Sequence, residues 1–583
     1  MSDVDLTDLV GQVSAWIAHD PDPATRAEAE GLLARALAGD HDAAAHLADA
    51  FGGRLAFGTA GLRAELGAGP QRMNRVVVAQ TSAGFAEFLW QRARAGATTT
   101  PPTVVIGYDA RVNSDIFARD AAEIMAGAGL VATLLPGPLP TPVTAFAVRH
   151  LGASAGVMIT ASHNPPRDNG YKVYLGDADD GAQIAPPTDA AIAACIDAAA
   201  MGPVSELPRR PDAVLHAGGE IVDAYVAEAA GALGSEVSRD AAAAPGPRVV
   251  YTAMHGVGSA VAQRVFRAAG LPEVVPVASQ DAPDGSFPTV SFPNPEEDGA
   301  LDLAIATARE HGADLILAND PDADRLAIAA PHPDEPSGYR RLTGNQLGLL
   351  LGWRAAERAA RTAVRDGRPL RGTLANTIVS SPALGAVADA YGLEHVETLS
   401  GFKWVARVPN LIFGFEEALG YLTHPSIVHD KDGITAAADA LAMARELHAA
   451  GRTVWELLDE ASARFGYFAS AQIVVRFRAT AEAASAAARI RENPPTAFGG
   501  VPVRRVRDFL DPGHAVVPAD VLAFDLEDGS RLMIRPSGTE PKLKAYLDAN
   551  CRTGTVAERR AAAETAVGRL ASALHTAFAE VRA

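Results

Sequence analysis

Four short stretches in the 583-residue chain hold residue types and spacings able to do chemistry. Ser162 stands in Thr160-Ala161-Ser162-His163-Asn164-Pro165, just past the apolar run Val157-Met158-Ile159, which reads as a buried strand. Loops beyond the carboxyl ends of strands are where open α/β sheets hold reacting groups, accessible yet fixed by the scaffold. Asp320, Asp322 and Asp324 alternate in Asn319-Asp320-Pro321-Asp322-Ala323-Asp324-Arg325, so three carboxylates can converge on one hard cation. Glu416-Glu417 follows another apolar strand and can accept several hydrogen bonds from a hydroxyl-rich ligand. Arg535-Pro536-Ser537-Gly538-Thr539 combines a guanidinium, two hydroxyls and a flexible backbone, suited to cradling a phosphate.

Weaker signals lie between them. Gly58 and Gly61 allow a tight turn before Arg63, whose planar fork can meet an anion. Lys172 sits between Tyr171 and Val173-Tyr174 and would stabilise charge if it lay near a phosphorylated serine. Asp109 and Arg111 end a strand and read as an ion pair within their own loop. Three rival motifs fail. The 152–156 match to a nucleophile elbow has Ser154 before a strand rather than after one. The 255–258 turn lacks the third glycine and the acid of a dinucleotide fingerprint. An EF-hand needs Gly where Arg325 stands and a closing Glu.

The elements that must position these residues read as successive α/β series. Residues 1–53 form a helical cap. Strands at 104–108, 131–135 and 157–159 alternate with helices at 114–128 and 143–150. A second series has strands at 249–252, 274–277 and 315–318 with helices at 258–269 and 300–311. A third has a helix at 345–363, strands at 373–379, 395–397 and 411–415, and a helix at 434–449. From about 466 the pattern becomes α+β: a strand at 472–477, a hairpin about Asp528-Gly529 and a long closing helix. The domains expected are 1–240, 241–342, 343–465 and 466–583, with a Pro/Ala-rich boundary at 241–247.

Composition narrows the partners. A net charge of −19 excludes broad, nonspecific nucleic-acid binding, which needs a dense basic surface. Two distant cysteines, Cys195 and Cys551, form neither a disulfide framework nor a zinc site. No apolar run spans a bilayer, and residues 1–20 carry no basic-apolar export signal, so a cytoplasmic location without a membrane partner is expected.

Taken in order, the four motifs resemble those of the α-D-phosphohexomutase superfamily, from about Phe57 onward, and most of all its phosphoglucomutase-2/phosphopentomutase branch. The resemblance implies three related α/β mixed-sheet domains plus a carboxy-terminal α+β domain around a central cleft. It implies a cytoplasmic isomerase acting on a small phosphosugar. Ser162 would carry a phosphoryl group, with His163, Lys172 and Arg63 as the other reacting residues. Mg²⁺ would be held by phosphorylated Ser162, Asp320, Asp322 and Asp324, with a sugar bisphosphate such as glucose 1,6-bisphosphate as activator. Arg63, Asp324, Arg325, Ser400, Gly401, Glu416 and Lys431 would bind substrate, and Arg535, Ser537, Gly538 and Thr539 its non-reacting phosphate. Glucose 1-phosphate/glucose 6-phosphate interconversion is the first expectation. Ala418 stands where much of the family has Ser, and no His follows in that motif, which opens the pentose and mannose alternatives. A bisphosphate synthase and a noncatalytic phosphosugar sensor are the others.

Overall fold

The computed structural model describes residues 6–58, 61–233, 246–513, 517–536 and 542–582. The chain forms two compact units, Met1–Arg341 with Gly420–Ala449, and Leu342–Leu419 with Ala450–Ala583.

In the first unit, the amino-terminal cap is three helices, Leu6–His19, Pro23–Leu37 and His41–Phe51. Asp22 and Asp40 cap the second and third by accepting backbone N–H groups. Leu9, Val13, Leu47 and Phe51 close their core. The sheet that follows runs in the order Leu62–Glu65, Asp168–Leu175, Ala155–Ile159, Thr103–Tyr108, Val131–Pro138, Leu215–His216, with Ala182–Gln183 beside Asp168–Leu175. Its inner strands Thr103–Tyr108, Val131–Pro138 and Ala155–Ile159 are parallel. Asp168–Leu175 runs antiparallel to Ala155–Ile159, placing Lys172 opposite Met158. Leu62–Glu65 pairs antiparallel on its far side, placing Arg63 opposite Gly170. One sheet edge thus gathers Arg63, Lys172 and the loop after Ile159.

The second sheet has the order Tyr339–Arg341, Leu326–Pro331, Leu315–Asn319, Val249–Thr252, Val274–Pro276. Leu315–Asn319 is buried throughout, parallel to Val249–Thr252 and antiparallel to Leu326–Pro331. The loop 320–325 therefore joins two adjacent strands, with Ala323 at its tip in the left-handed region (φ 55°).

In the second unit, Glu394–Thr398, Thr373–Thr377 and Leu411–Glu416 form a parallel sheet. Helix Gly344–Arg365 enters through a Thr343/Gln346 capping box. The strand expected over 373–379 stops at Thr377, because Ile378 and Val379 turn out of the sheet into an apolar cluster with Val521, Met533 and Tyr546. The carboxy-terminal sheet is antiparallel, in the order Tyr467–Arg476, Lys542–Cys551, Arg531–Pro536, Leu522–Leu526, Val501–Asp508, Ala497–Phe498. Its first strand begins at Tyr467 rather than at 472, since it pairs with Lys542–Cys551 along its whole length. The closing helix is Val556–Arg582. Three α/β sheets and one α+β unit are as expected; most of the 241–247 boundary lies outside the described residues.

Candidate active site

Ser162 is 2 % exposed and takes φ 52°, a left-handed conformation unusual for a residue with a side chain. Several groups hold it there. Its N–H donates to Thr160 Oγ1 (2.8 Å), whose hydroxyl donates to Asp109 Oδ2 (2.6 Å). Arg111 reaches across the same loop and donates to the carbonyls of Ser162 (2.6 Å), Asn164 (2.6 Å), Pro165 (2.8 Å) and Asp168 (3.1 Å). Phe287 covers that guanidinium, 5.0 Å from ring centroid to Cζ. The expected Asp109–Arg111 ion pair is present at 3.5 Å, yet it is the smaller part of what Arg111 does.

With its backbone fixed, the Ser162 hydroxyl points at two groups: it donates to Asp320 Oδ2 (2.9 Å) and lies 3.1 Å from His163 Nδ1. Burial, then the charges of Arg325 and Arg63, hold the His163 imidazole well below its usual range, so it is neutral near pH 7. Arg63 donates to Asn164 Oδ1 (2.9 Å) from the adjoining strand. Gly61 (φ 78°) brings that strand in: a Cβ there would stand 1.9 Å from the Tyr171 carbonyl oxygen.

Asp320, Asp322 and Asp324 are all fully buried, which rules out a solvated acidic turn. One carboxylate oxygen from each lies within 4.8 Å of the others. Lys172 donates to Asp322 Oδ2 (2.6 Å) and Asp324 Oδ2 (2.8 Å), and Lys431 Nζ is 3.4 Å from Asp324. Arg325 Nε lies 3.9 Å from Asp320 and 3.8 Å from Asp324. Thr141 donates its N–H to the Asp322 carbonyl (2.9 Å) and its hydroxyl to Asp322 Oδ2 (2.7 Å). The carboxyls are driven apart. Burial, then Asp322 and Asp324, push Asp320 well up, whereas at Asp324 burial is outweighed by Lys172, Lys431 and Arg325 and the carboxyl is lowered.

These residues fit a divalent cation. Asp322 Oδ1 and Asp324 Oδ1 are buried and accept no hydrogen bond from the described residues, an arrangement that is costly unless a cation takes them up. An all-oxygen donor set suits a hard ion such as Mg²⁺.

In the second unit, Arg535 Nη1 donates to Ser400 Oγ (2.7 Å), bringing the predicted phosphate-binding arginine to the predicted sugar-binding serine. Gly401 (φ 112°) follows it. Glu416 ends the strand Leu411–Glu416, and Glu417 is engaged by Ser380 Oγ (2.9 Å) and Thr377 Oγ1 (3.2 Å). Ser537, Gly538 and Thr539 lie outside the described residues. Arg111 and Thr141 escaped sequence reasoning as site residues. Arg111 at a strand end beside Asp109 was a visible signal; Thr141 carried none.

Three α/β domains and an α+β domain, with a buried serine against a carboxylate triad, define a phosphosugar mutase. Family models described as "Phosphoglucomutase/phosphomannomutase" match the chain over all four parts: alpha/beta/alpha domain I at 54–202, II at 223–333, III at 343–465 and the C-terminal domain at 475–566. The chain belongs to this phosphoglucomutase/phosphomannomutase family. It is 49 % identical over 487 residues to a probable phosphomannomutase of Haemophilus influenzae, covering 84 % of this chain and 95 % of that one. It is 36 % identical to a probable phosphoribomutase of Schizosaccharomyces pombe (92 % of each) and 34 % identical to human phosphopentomutase (92 % and 90 %). Its fold matches a putative phosphomannomutase from Thermus thermophilus with a TM-score of 0.64 at 23 % identity, over 90 % of this chain and 99 % of that one. Among the described residues no helix is long and apolar enough to cross a membrane.

Proposed function

We propose that this mutase interconverts ribose 1-phosphate and ribose 5-phosphate through a phosphorylated Ser162. The observation that carries the chemistry is the buried Ser162 hydroxyl against Asp320, at the edge of a carboxylate triad able to hold Mg²⁺. Bound there, Mg²⁺ would offset the charge of a phosphoserine beside three carboxylates and polarise the phosphoryl group.

The chain's own residues do the rest. Ser162 Oγ gives its phosphoryl to the free hydroxyl of the sugar monophosphate; the bisphosphate turns over in the site; the phosphoryl from the other end returns to Ser162 Oγ. Arg63, Lys172 and Arg325 stabilise charge on the transferring oxygens. Each transfer balances in protons: the sugar hydroxyl gives up its proton as its oxygen gains the phosphoryl, and Ser162 Oγ ends as the hydroxyl that donates to Asp320 Oδ2, with neutral His163 Nδ1 3.1 Å away. Ser400, Gly401, Glu416 and Lys431 contact the sugar, and Arg535 with Ser537, Gly538 and Thr539 binds the phosphate that is not reacting. A sugar bisphosphate would restore enzyme that has lost its phosphoryl group.

The pentose is favoured over the hexose because Glu417 is committed to Ser380 and Thr377 and Ala418 offers no donor, leaving Glu416 as the one carboxylate of the motif for the sugar. A ring with fewer hydroxyls matches that sparse set. The names of the fission-yeast and human relatives lean the same way, while the 49 % identical Haemophilus influenzae relative is named a probable phosphomannomutase and leans to a hexose. Glucose 1-phosphate is the second reading, supported by Glu416 itself and by a mouse relative named glucose 1,6-bisphosphate synthase, 32 % identical. The test is kcat/KM for ribose 1-phosphate, glucose 1-phosphate and mannose 1-phosphate side by side, with Mg²⁺ and catalytic glucose 1,6-bisphosphate, for wild type and Ser162→Ala. Preference for ribose 1-phosphate, abolished in Ser162→Ala, is expected. Preference for a hexose moves the assignment to the second reading or to a phosphomannomutase, and activity on none of them sinks it.

A further inference from the structure

The strand Arg531–Pro536 carries two arginines on one face, with Met533 between them. Met533 packs in the apolar cluster with Ile378, Val379 and Tyr546, so this face is where the carboxy-terminal sheet meets the domain before it, within the second unit. Arg535 reaches Ser400. Arg531, only 9 % exposed, spreads its guanidinium over three partners: Asp548 of its own sheet (2.8 Å), Glu397 at the base of the Ser400 loop (2.6 Å), and the carbonyl oxygen of Ser380.

Ser380 leads directly to the sugar motif. Its Oγ donates to Glu417 Oε2 (2.9 Å) and accepts the Glu417 N–H (3.0 Å), bracketing the residue after Glu416 through both backbone and side chain. Thr377 Oγ1 lies 2.8 Å from Ser380 Oγ and adds a bond to the same carboxylate. The approach is close on the other side too, where a Cβ on Gly344 would stand 1.9 Å from the Glu417 carbonyl oxygen. Glu417 therefore has little freedom, and Glu416 inherits its setting.

We infer that Ser380 is a positioning residue for Glu416, and that Arg531 ties this setting to the docking of the carboxy-terminal domain. The inference rests on the reading that Glu416 binds the sugar. Because Arg531 also holds Glu397, one guanidinium registers both sugar-facing segments, around Ser400 and around Glu416, against the strand that delivers Arg535. A sugar phosphate would then meet its hydroxyl ligands in the right place only when the phosphate-binding domain is seated.

The experiment measures KM and kcat for ribose 1-phosphate and glucose 1-phosphate in Ser380→Ala, Arg531→Lys and Glu416→Gln. Arg531→Lys keeps the charge but gathers its donors on one nitrogen, without the planar fork that spans Asp548, Glu397 and the Ser380 carbonyl. The expected result is a KM raised about tenfold in Ser380→Ala and Arg531→Lys with kcat within about twofold, since the phosphoryl-transfer residues are untouched. A merely structural role would lower the active fraction, and so the apparent kcat, with KM unchanged; that outcome overturns the inference. If Ser380→Ala does not fold, Arg531→Lys supplies the same split. Glu416→Gln separates the two levels: a raised KM there with normal KM in the other two overturns only the positioning role, whereas an unchanged KM in Glu416→Gln removes the sugar-binding reading and the inference with it.

Discussion

Arg111 Nη2 lies 2.6 Å from the carbonyl oxygen of Ser162, and the residue it holds is in a left-handed conformation, φ 52°. A serine rarely adopts that backbone unless its surroundings over-determine it. Here four carbonyls converge on one guanidinium, and the strained turn delivers Ser162 Oγ to Asp320.

Arg111→Lys should therefore cost more activity than its distance from the reacting oxygen suggests. A lysine cannot fork to four carbonyls, so the loop relaxes and Ser162 Oγ shifts; misplacement of about 1 Å costs on the order of 10²-fold in kcat. Loss of the buried network should also lower the unfolding free energy by about 3 kcal/mol. Urea denaturation and steady-state kinetics on one preparation check both. Wild-type kcat in Arg111→Lys would show that the loop holds its shape without the clamp.

Much of this site was legible in the amino-acid sequence. Ser162 and the three aspartates stand in short contiguous motifs whose residue types admit few alternatives, and the strands feeding them are continuous apolar runs. Arg111 was not legible as a clamp, because its partners are backbone carbonyls distributed by the path of the loop, and a backbone carbonyl leaves no trace in sequence. Nor was the pairing of Lys172 with Asp322 and Asp324, which lie some 150 positions away and meet it only once two sheets pack. Arg531 escaped for the same reason: its partners Glu397 and Ser380 belong to another domain of the chain.

Gly61→Ala should destabilise the first unit. Gly61 has φ 78°, and the added Cβ would stand 1.9 Å from the Tyr171 carbonyl oxygen, which is backbone and cannot swing away. Relief requires moving the strand Leu62–Glu65, which carries Arg63. A loss of about 3 kcal/mol is expected, with kcat/KM falling in the fraction that remains folded. Unchanged urea midpoints would show that the turn tolerates a side chain.

His395 gives the fold a pH dependence on its acid side. Burial pushes its imidazole below the ordinary value of 6.5, against the opposing pull of Glu397. Its Nε2 lies 2.7 Å from Asn376 Oδ1 and donates to it as the neutral ring. Since the folded pKa is the lower one, the unfolded chain binds the proton more readily, and stability rises with pH through that window. The contribution is present above 6.5 and is lost as pH falls through the folded pKa. Unfolding free energies measured in urea across this range should slope less in His395→Gln than in wild type; equal slopes would remove His395 as the source.

Metal should bind the folded chain through the triad, and Lys172 should oppose it. The ammonium bridges Asp322 and Asp324, so it offsets part of the charge a divalent cation would otherwise neutralise. Wild-type Tm should rise with Mg²⁺ and return in EDTA, with a stabilisation of about 2.7 kcal/mol at a hundredfold excess over Kd. Asp322→Asn should abolish most of that rise. Lys172→Met should do the reverse: in EDTA it leaves buried Asp322 without its ammonium and Asp324 with only Lys431 and Arg325, lowering stability by about 3 kcal/mol, and Mg²⁺ should then raise its Tm by more than in wild type. A wild-type Tm indifferent to Mg²⁺ would mean that the three aspartates are balanced by Lys172, Lys431 and Arg325 without a metal, whereas an Mg²⁺ response kept in full by Asp322→Asn would place the cation elsewhere.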